Sequence, residues 1–253
     1  MLDSKNIKVS IITSSYNSGA TIADTINSVN KQTYSNIEHV FIDGKSTDSS
    51  VEQIENISTR EKKITSEKDK GIYDAMNKGV KTASGAIIGI LNSDDFYAYE
   101  NVITDVVELF ENSKADAVYA DLDYVEEVDT NKVVRKWRSG NYKYGDFKWG
   151  WMPPHPTLFL KKEVYEKYGN FNLELKSAAD YEIMLRFIHK NKIKLSYLPK
   201  VTVKMRVGGL SNSSLKHRIF ANNEDRKAWK INGLKPYFFT LYMKPLRKIT
   251  QYL

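Results

Sequence analysis

No cysteine occurs in the 253 residues. Without thiols there is no disulfide scaffold and no zinc–thiolate site, and a reducing compartment suits the chain. Also missing is any segment near the roughly 20 continuous apolar residues that cross a bilayer. The opening residues, MLDSKNIKVS, lack the long apolar stretch of a signal peptide. The expected location is therefore cytoplasmic and not integral to a membrane. Neither a GxxxxGK[ST] loop nor GxGxxG is present, so neither a P-loop NTPase nor a Rossmann dehydrogenase is supported. No helix-turn-helix, zinc-finger or RNA-recognition signature appears, and no nucleic-acid partner is expected. Acid is scarce in one region: residues 190–253 carry 15 Lys and Arg against Glu224 and Asp225. The net charge of +7 thus belongs to the C-terminal quarter, which implies an anionic surface as its partner.

Hydrophobic residues make up 41% of the chain, enough for a sizeable core. Short β-branched runs alternate with helical periodicity through the first half. Strands are expected at 8–14, 38–43, 62–67, 86–92 and 116–125. Helices are expected at 47–57, 71–83 and 101–112, and around Ile22, Ile26 and Val29; in the third, Ile72, Met76 and Val80 share one stripe. Such βαβ alternation predicts an α/β fold with a mostly parallel sheet flanked by helices. A hairpin over 124–137, turning at 129–131, follows, then an aromatic loop over 139–157. An amphipathic helix over 180–191 and strands at 194–199 and 201–207 come next. The rest reads as helical and basic. The expected division is a domain over 1–210 and a basic helical extension over 211–253.

The run AIIGILNSDDFY (86–97) ends a buried strand on two adjacent aspartates, which repel unless something positive divides them. Ligands of open parallel sheets bind beyond the carboxyl ends of the strands. Three candidate strands end in TSSYN (13–17), DGKSTD (43–48) and NSDD (92–95), so Asp43, Asp94 and Asp95 gather at one edge. A turn cap at Asp43 is the plain alternative. Carboxylates without a His or Cys cluster favour Mg²⁺ or Mn²⁺, which fills its sphere with water and phosphate oxygens. A nucleoside diphosphate is the implied ligand.

The segments VSIITSSYN, IDGKSTDSS, EKDKGIYDAMNKGV, GILNSDD and AADYEIMLR, in this order and spacing, resemble family 2 of the inverting glycosyltransferases. The likeness spans roughly residues 7–210 and is nearest to the bacterial surface-polysaccharide enzymes. It implies a GT-A fold, with a Rossmann-like nucleotide-binding half and an acceptor half. It also implies a nucleotide-sugar donor, a UDP-sugar, from which a hexose or N-acetylhexosamine passes to a saccharide acceptor of an O-antigen, capsule or exopolysaccharide. By resemblance, Thr13 and Tyr16 lie where the family holds base and ribose, Asp43 accepts from the base, and Asp69 and Lys70 line the nucleotide pocket. Asp94 takes the ribose side, Asp95 the metal. Asp180 matches the general base, although Ala179 stands where the family often has a second acid.

Several positions have ordinary structural alternatives. Asp180 could simply cap its helix. His155, between prolines in MPPHPT, suits a diphosphate or acceptor contact or a plain turn, and Trp151 suits an acceptor platform or the core. The tail LKPYFFTLYMKPLRKITQYL (234–253) has four basic residues, no acid and many apolar ones, which suits an anionic membrane surface and a lipid-linked acceptor. The alternatives are a sugar-nucleotide nucleotidyltransferase from the same fold neighbourhood and, from another class, a non-catalytic nucleotide-sugar or nucleic-acid binder.

Overall fold

The computed structural model describes residues 7–208 and 215–251. Its elements begin with β1 (Val9–Ser15), α1 (Ile22–Asn30), β2 (Ile37–Asp43), α2 (Ser50–Ile57), β3 (Glu61–Ser66), α3 (Ile72–Thr82) and β4 (Ile87–Ile90). β2 is parallel to both β1 and β3, and β1 is parallel to β4. Every residue of β1, β2 and β4 is buried, as parallel strands covered on both faces require. α3 lays Met76 and Val80 against Ile12, Val40 and Ile42. That close approach depends on Gly79, where a Cβ would lie 2.3 Å from Ile12 Cγ2. Ile72, expected on the same stripe, opens the helix and is 48% exposed. On the opposite face, α1 and α2 enclose Phe41 with Ile22, Ile26 and Ile54.

The chain continues through β5 (Phe96–Tyr97), α4 (Val102–Ser113), β6 (Ala117–Val125), β7 (Val133–Trp137), β8 (Phe159–Lys161) and α5 (Lys162–Tyr168). It then forms α6 (Ala179–Met184), β9 (Leu195–Arg206), α7 (Leu215–Ile231) and α8 (Thr240–Leu246). The sheet order is β3-β2-β1-β4-β8-β6-β9-β5, with β7 on β6. Parallel pairing holds among the first four strands and between β6 and β9. β8 runs antiparallel to both neighbours. The chain leaves β7 through the 139–157 loop and enters the gap between β4 and β6 from the opposite end, without the crossover a parallel neighbour needs.

Three local expectations change. The two strands read at 194–199 and 201–207 are one, β9. Its pairing with β6 shifts between Ala120 and Asp121, opposite Leu198 and Val201, and Pro199 sits in that bulge, where a missing N–H is tolerated. The helix expected over 180–191 is α-helical only to Met184 and then widens into a π-turn over Leu185–Lys190. Asn191 closes it, its N–H and its side chain both donating to Arg186 O at 3.0 and 2.8 Å. β5, β8 and α5 were not legible in the apolar pattern.

The C-terminal helices are built onto the rest of the molecule. Trp229 of α7 is buried and its Nε1–H donates to the Tyr181 hydroxyl at 2.9 Å. Glu224 accepts from the Lys176 and Ser177 N–H groups just ahead of α6. In α8, Thr240 Oγ1 donates to Lys148 O at 2.7 Å and Lys244 pairs with Asp225 at 2.7 Å.

Candidate active site

The strand ends converge as the sequence pattern requires. Ser15 faces Asp43 across β1 and β2, and Asp43 faces Ser66 across β2 and β3. The loop after β1 meets the loop after β4 through Ser18 Oγ and Ser93 Oγ, 2.8 Å apart, and Thr21 Oγ1 donates to Ser93 O at 2.9 Å.

Asp43 is fully buried and accepts from Ser15 Oγ (3.1 Å), Ser46 N (2.8 Å), Ser46 Oγ (2.5 Å) and Ser66 Oγ (2.7 Å). Burial pushes its carboxyl up, but these hydrogen bonds outweigh it and leave the group below the usual carboxylate range. This carboxylate locks three strand ends together, as a capping role would. Beside it, Gly44 opens the surface: a Cβ there would lie 2.7 Å from Asp69 Oδ2 and 3.3 Å from the Tyr16 ring. Tyr16 and Asp69 therefore meet around Gly44 at the ends of β1 and β2, and Lys70, next to Asp69 in the chain, is exposed. Thr13 is fully buried, its hydroxyl 2.9 Å from His39 Nε2. Alternation along β1 turns the next residue to the other face, and the buried Ser14 hydroxyl has no hydrogen-bond partner. Ser14 is thus a candidate that sequence reading passed over.

Asp94 and Asp95 differ sharply in setting. Asp95 is fully buried; Asn92 Nδ2 donates to its Oδ2 at 3.1 Å, while Oδ1 has no partner. Burial first, then the neighbouring Asp94, push its carboxyl well up. Burial also raises Asp94, against the charge of Arg206. Arg206, at the end of β9, donates to Asp94 O at 2.7 Å and pairs with Asp24. An orphaned buried carboxylate oxygen beside a second carboxylate is a donor set that fits a hard divalent cation. Among the described residues, no three His, Cys, Asp or Glu side chains form a ligand set.

Asp180 does not cap its helix. α6 starts after Ala178 without a side-chain cap bond. The Tyr73 hydroxyl donates to Asp180 Oδ1 at 3.1 Å, and His155 Nδ1 lies 3.6 Å from Oδ2. Burial lowers His155, against the charges of Asp180 and Asp94, which favours the neutral ring. Tyr73 reads in the sequence only as one more helix residue. Its pairing with a group 107 positions later is a tertiary fact.

Asp180 and His155 line a cavity of about 330 Å³ together with Trp151, Tyr181, Asp225 and Lys244. Trp151 is buried, its Nε1–H donating to Ser139 O at 2.9 Å, and it packs against Tyr119, Tyr142 and Phe147. It is at once a core residue and part of the cavity wall. The arrangement, then, is a group of polar side chains at the strand ends, a carboxylate pair at the end of β4, and an oriented carboxylate lining a cavity.

The model of glycosyl transferase family 2 matches residues 10–169 of this sequence. The chain belongs to that family. This family 2 glycosyltransferase is 30% identical over 186 residues to an uncharacterized glycosyltransferase of Mycobacterium tuberculosis, covering 70% of this chain and 68% of that one. It is 28% identical over 218 residues to a PGL/p-HBAD biosynthesis glycosyltransferase of Mycobacterium bovis, covering 81% and 79%. Its fold is similar to that of residues 1–349 of Staphylococcus aureus TarS, solved with UDP-GlcNAc (TM-score 0.69, 19% identity, 89% of this chain). The family 2 chain spans 65% of that longer structure. It is likewise similar to the mannosyltransferase PcManGT of Pyrobaculum calidifontis, solved with GDP-Man and Mn²⁺ (TM-score 0.66, 17% identity, 94% of this chain and 69% of that one). The architecture is the GT-A fold expected from the sequence motifs.

Proposed function

We propose that this glycosyltransferase transfers a hexose or N-acetylhexosamine, with inversion, from a UDP-sugar to a saccharide acceptor of a surface polysaccharide. The observation that carries this reading is the placement of Asp180. Its carboxylate accepts from Tyr73, is flanked by His155, and lines a cavity together with that histidine, whose ring also feels the charge of Asp94. TarS with UDP-GlcNAc and PcManGT with GDP-Man and Mn²⁺ support a nucleotide-sugar donor.

In this mechanism the base and ribose lie against Tyr16, Ser14, Asp69 and Lys70, with Asp43 and Thr13 bracing them from inside. Asp94 and Asp95 would hold Mn²⁺ or Mg²⁺, which supplies Lewis-acid stabilisation of charge growing on the departing diphosphate. Asp180 accepts the proton of the acceptor hydroxyl as it attacks the anomeric carbon, a contribution of about 10²- to 10⁴-fold. One base on the face opposite the leaving group makes the reaction a single displacement. Tyr73 keeps the carboxylate aimed; His155 adds no competing positive charge while neutral.

The test is thermal denaturation with UDP, GDP, CMP and dTDP, each with and without Mn²⁺. A ligand bound only by the folded state raises Tm. UDP with Mn²⁺ is expected to raise it, and Asp95→Ala to abolish the rise. Asp180→Asn should keep the rise while turnover falls at least a hundredfold; near-native turnover in that variant sinks the mechanism.

The acceptor is proposed to be lipid-linked, with the C-terminal face meeting an anionic membrane. Phe238, Tyr242, Leu246 and Ile249 are exposed there, next to exposed Trp149, and Arg247 and Lys248 add positive charge. No helix among the described residues is long and apolar enough to cross a membrane, so the contact would be interfacial.

A further inference from the structure

The basic C-terminal quarter contains only two acids, Glu224 and Asp225, adjacent in α7 and both buried. Their settings differ. Glu224 is satisfied by the chain itself: it accepts from the Lys176 and Ser177 N–H groups and from Ser177 Oγ at 2.9 Å, and so holds the stretch ahead of α6. Asp225 is 6% exposed and lines the cavity of Asp180 and His155. Its Oδ2 accepts from Lys244 Nζ at 2.7 Å, and among the described residues its Oδ1 accepts no hydrogen bond. Lys244 lines the same cavity, with its Nζ 3.8 Å from the centre of the Tyr181 ring. The ammonium is thereby fixed between a carboxylate and an aromatic face.

Burial raises the Asp225 carboxyl and the charge of Asp180 raises it further, while Lys244 and Lys248 act the other way. The two carboxylates of the cavity thus feel one another. An ion pair taken out of water loses hydration that its mutual attraction only partly returns. Apolar side chains would seat α8 on α7 as well, so docking alone does not call for these charges. What the pair adds to the cavity wall is a hydrogen-bond acceptor and a donor side by side. Sugar hydroxyls, each both donor and acceptor and set on neighbouring carbons, match that arrangement. The tail behind α8 helps to close the same cavity: Arg135 of β7 and Gln251 both line it, and Arg135 Nε donates to Gln251 Oε1 at 2.7 Å.

Resting on the reading of Asp180 as base, we propose that Asp225 and Lys244 bind the acceptor saccharide: Asp225 accepts from a hydroxyl beside the attacking one, and Lys244 donates to an adjacent oxygen of the same sugar. Held at two points, the ring presents one hydroxyl to Asp180, and this fixes which position is glycosylated. An acceptor without the neighbouring hydroxyl leaves the buried carboxylate short of a donor and is selected against.

The experiment follows transfer from UDP-GlcNAc and UDP-glucose to p-nitrophenyl glycosides of glucose, galactose, mannose and N-acetylglucosamine, then to monodeoxy analogues of the best acceptor. For the native chain, the analogue lacking a hydroxyl beside the attacking one should have kcat/KM about tenfold below the parent, the worth of a hydrogen bond to a charged group. Asp225→Ala should raise the acceptor KM by about the same factor and treat parent and analogue alike, because losses from two ends of one contact do not add. Asp225→Asn/Lys244→Gln keeps both shapes and removes both charges; there the preference for the parent should shrink about threefold even if α8 loosens in Asp225→Ala. A pair that merely holds α8 would lower the ligand-free Tm and leave the preference for the parent at its native value. That result, or a native acceptor KM in both variants, overturns the proposal. Near-native turnover in Asp180→Asn defeats the base reading instead. If the native chain uses none of the glycosides while nucleotide still raises Tm, the saccharide reading of the cavity fails and takes this inference with it.

Discussion

At the residue scale the site is organised by which polar groups are satisfied and which are not. Asp43 has four donors and acts as a bracket, whereas Asp95 Oδ1 and Ser14 Oγ are buried without a partner. Such groups cost free energy unless something met in function engages them. Tyr73 illustrates positioning. Tyr73→Phe removes one hydrogen bond to Asp180 and nothing from the donor site, so kcat should fall about tenfold with donor KM unchanged, read from steady-state kinetics. His39 sets a pH response. It is fully buried, and burial holds its imidazole down to about 3. The unfolded chain binds a proton on this ring near pH 6.5 while the folded one refuses it, so stability is complete above that pH and is lost as pH falls toward 3. Linkage puts the loss near 2 kcal/mol at pH 5. In His39→Gln the drop in Tm between pH 7 and pH 5 should shrink; an unchanged drop would assign the effect to other groups. Asp94 and Asp95 were legible as a pair because two acids end an apolar strand. Ser14, Tyr73 and Arg206 were not, because a lone serine, a helix tyrosine and a strand arginine carry no local mark.

At the element scale, the π-turn after α6 and the seat of α8 depend on contacts between distant segments. Gly150 has φ +76°, and a Cβ there would lie 2.5 Å from Lys244 N and 2.7 Å from Met243 C. Backbone cannot yield by that much, and the left-handed conformation adds strain for any other residue. Gly150→Ala should therefore lift α8 off the 146–150 turn. Trypsin should then cut after Arg247 and Lys248 faster than in the native chain, while the nucleotide-induced rise in Tm survives; native cleavage rates would show that α8 is held by other means. The periodic helices α1 to α4 were legible from their apolar stripes. β8 and α5 were not, since FLK and the residues after it have no distinctive period at that length.

At the scale of the whole molecule, the acidic first part and the basic last quarter are folded against one another, and Asp225 and Lys244 join within the basic part itself. The exposed apolar residues on the C-terminal face predict interfacial binding. Flotation with vesicles of 7:3 phosphatidylcholine to phosphatidylglycerol should recover the native chain, and Phe238→Ser/Tyr242→Ser should recover several-fold less. Recovery that ignores this change would remove the membrane from the proposal. Adding salt should also weaken the association, because exposed charges are screened within about 10 Å at 0.1 M.

The amino-acid sequence by itself determined the parallel half of the sheet, the helices on its faces and the convergence of acids at the strand ends. Those features follow from periodicity and from the alternation of strands and helices, which are properties of neighbours along the chain. Only the tertiary structure decided that Asp180 answers to Tyr73 and His155 and that Thr13 turns inward. It also decided that the basic tail closes a cavity with Arg135. These depend on contacts between residues tens to more than a hundred positions apart, and the geometry of such contacts is set by packing.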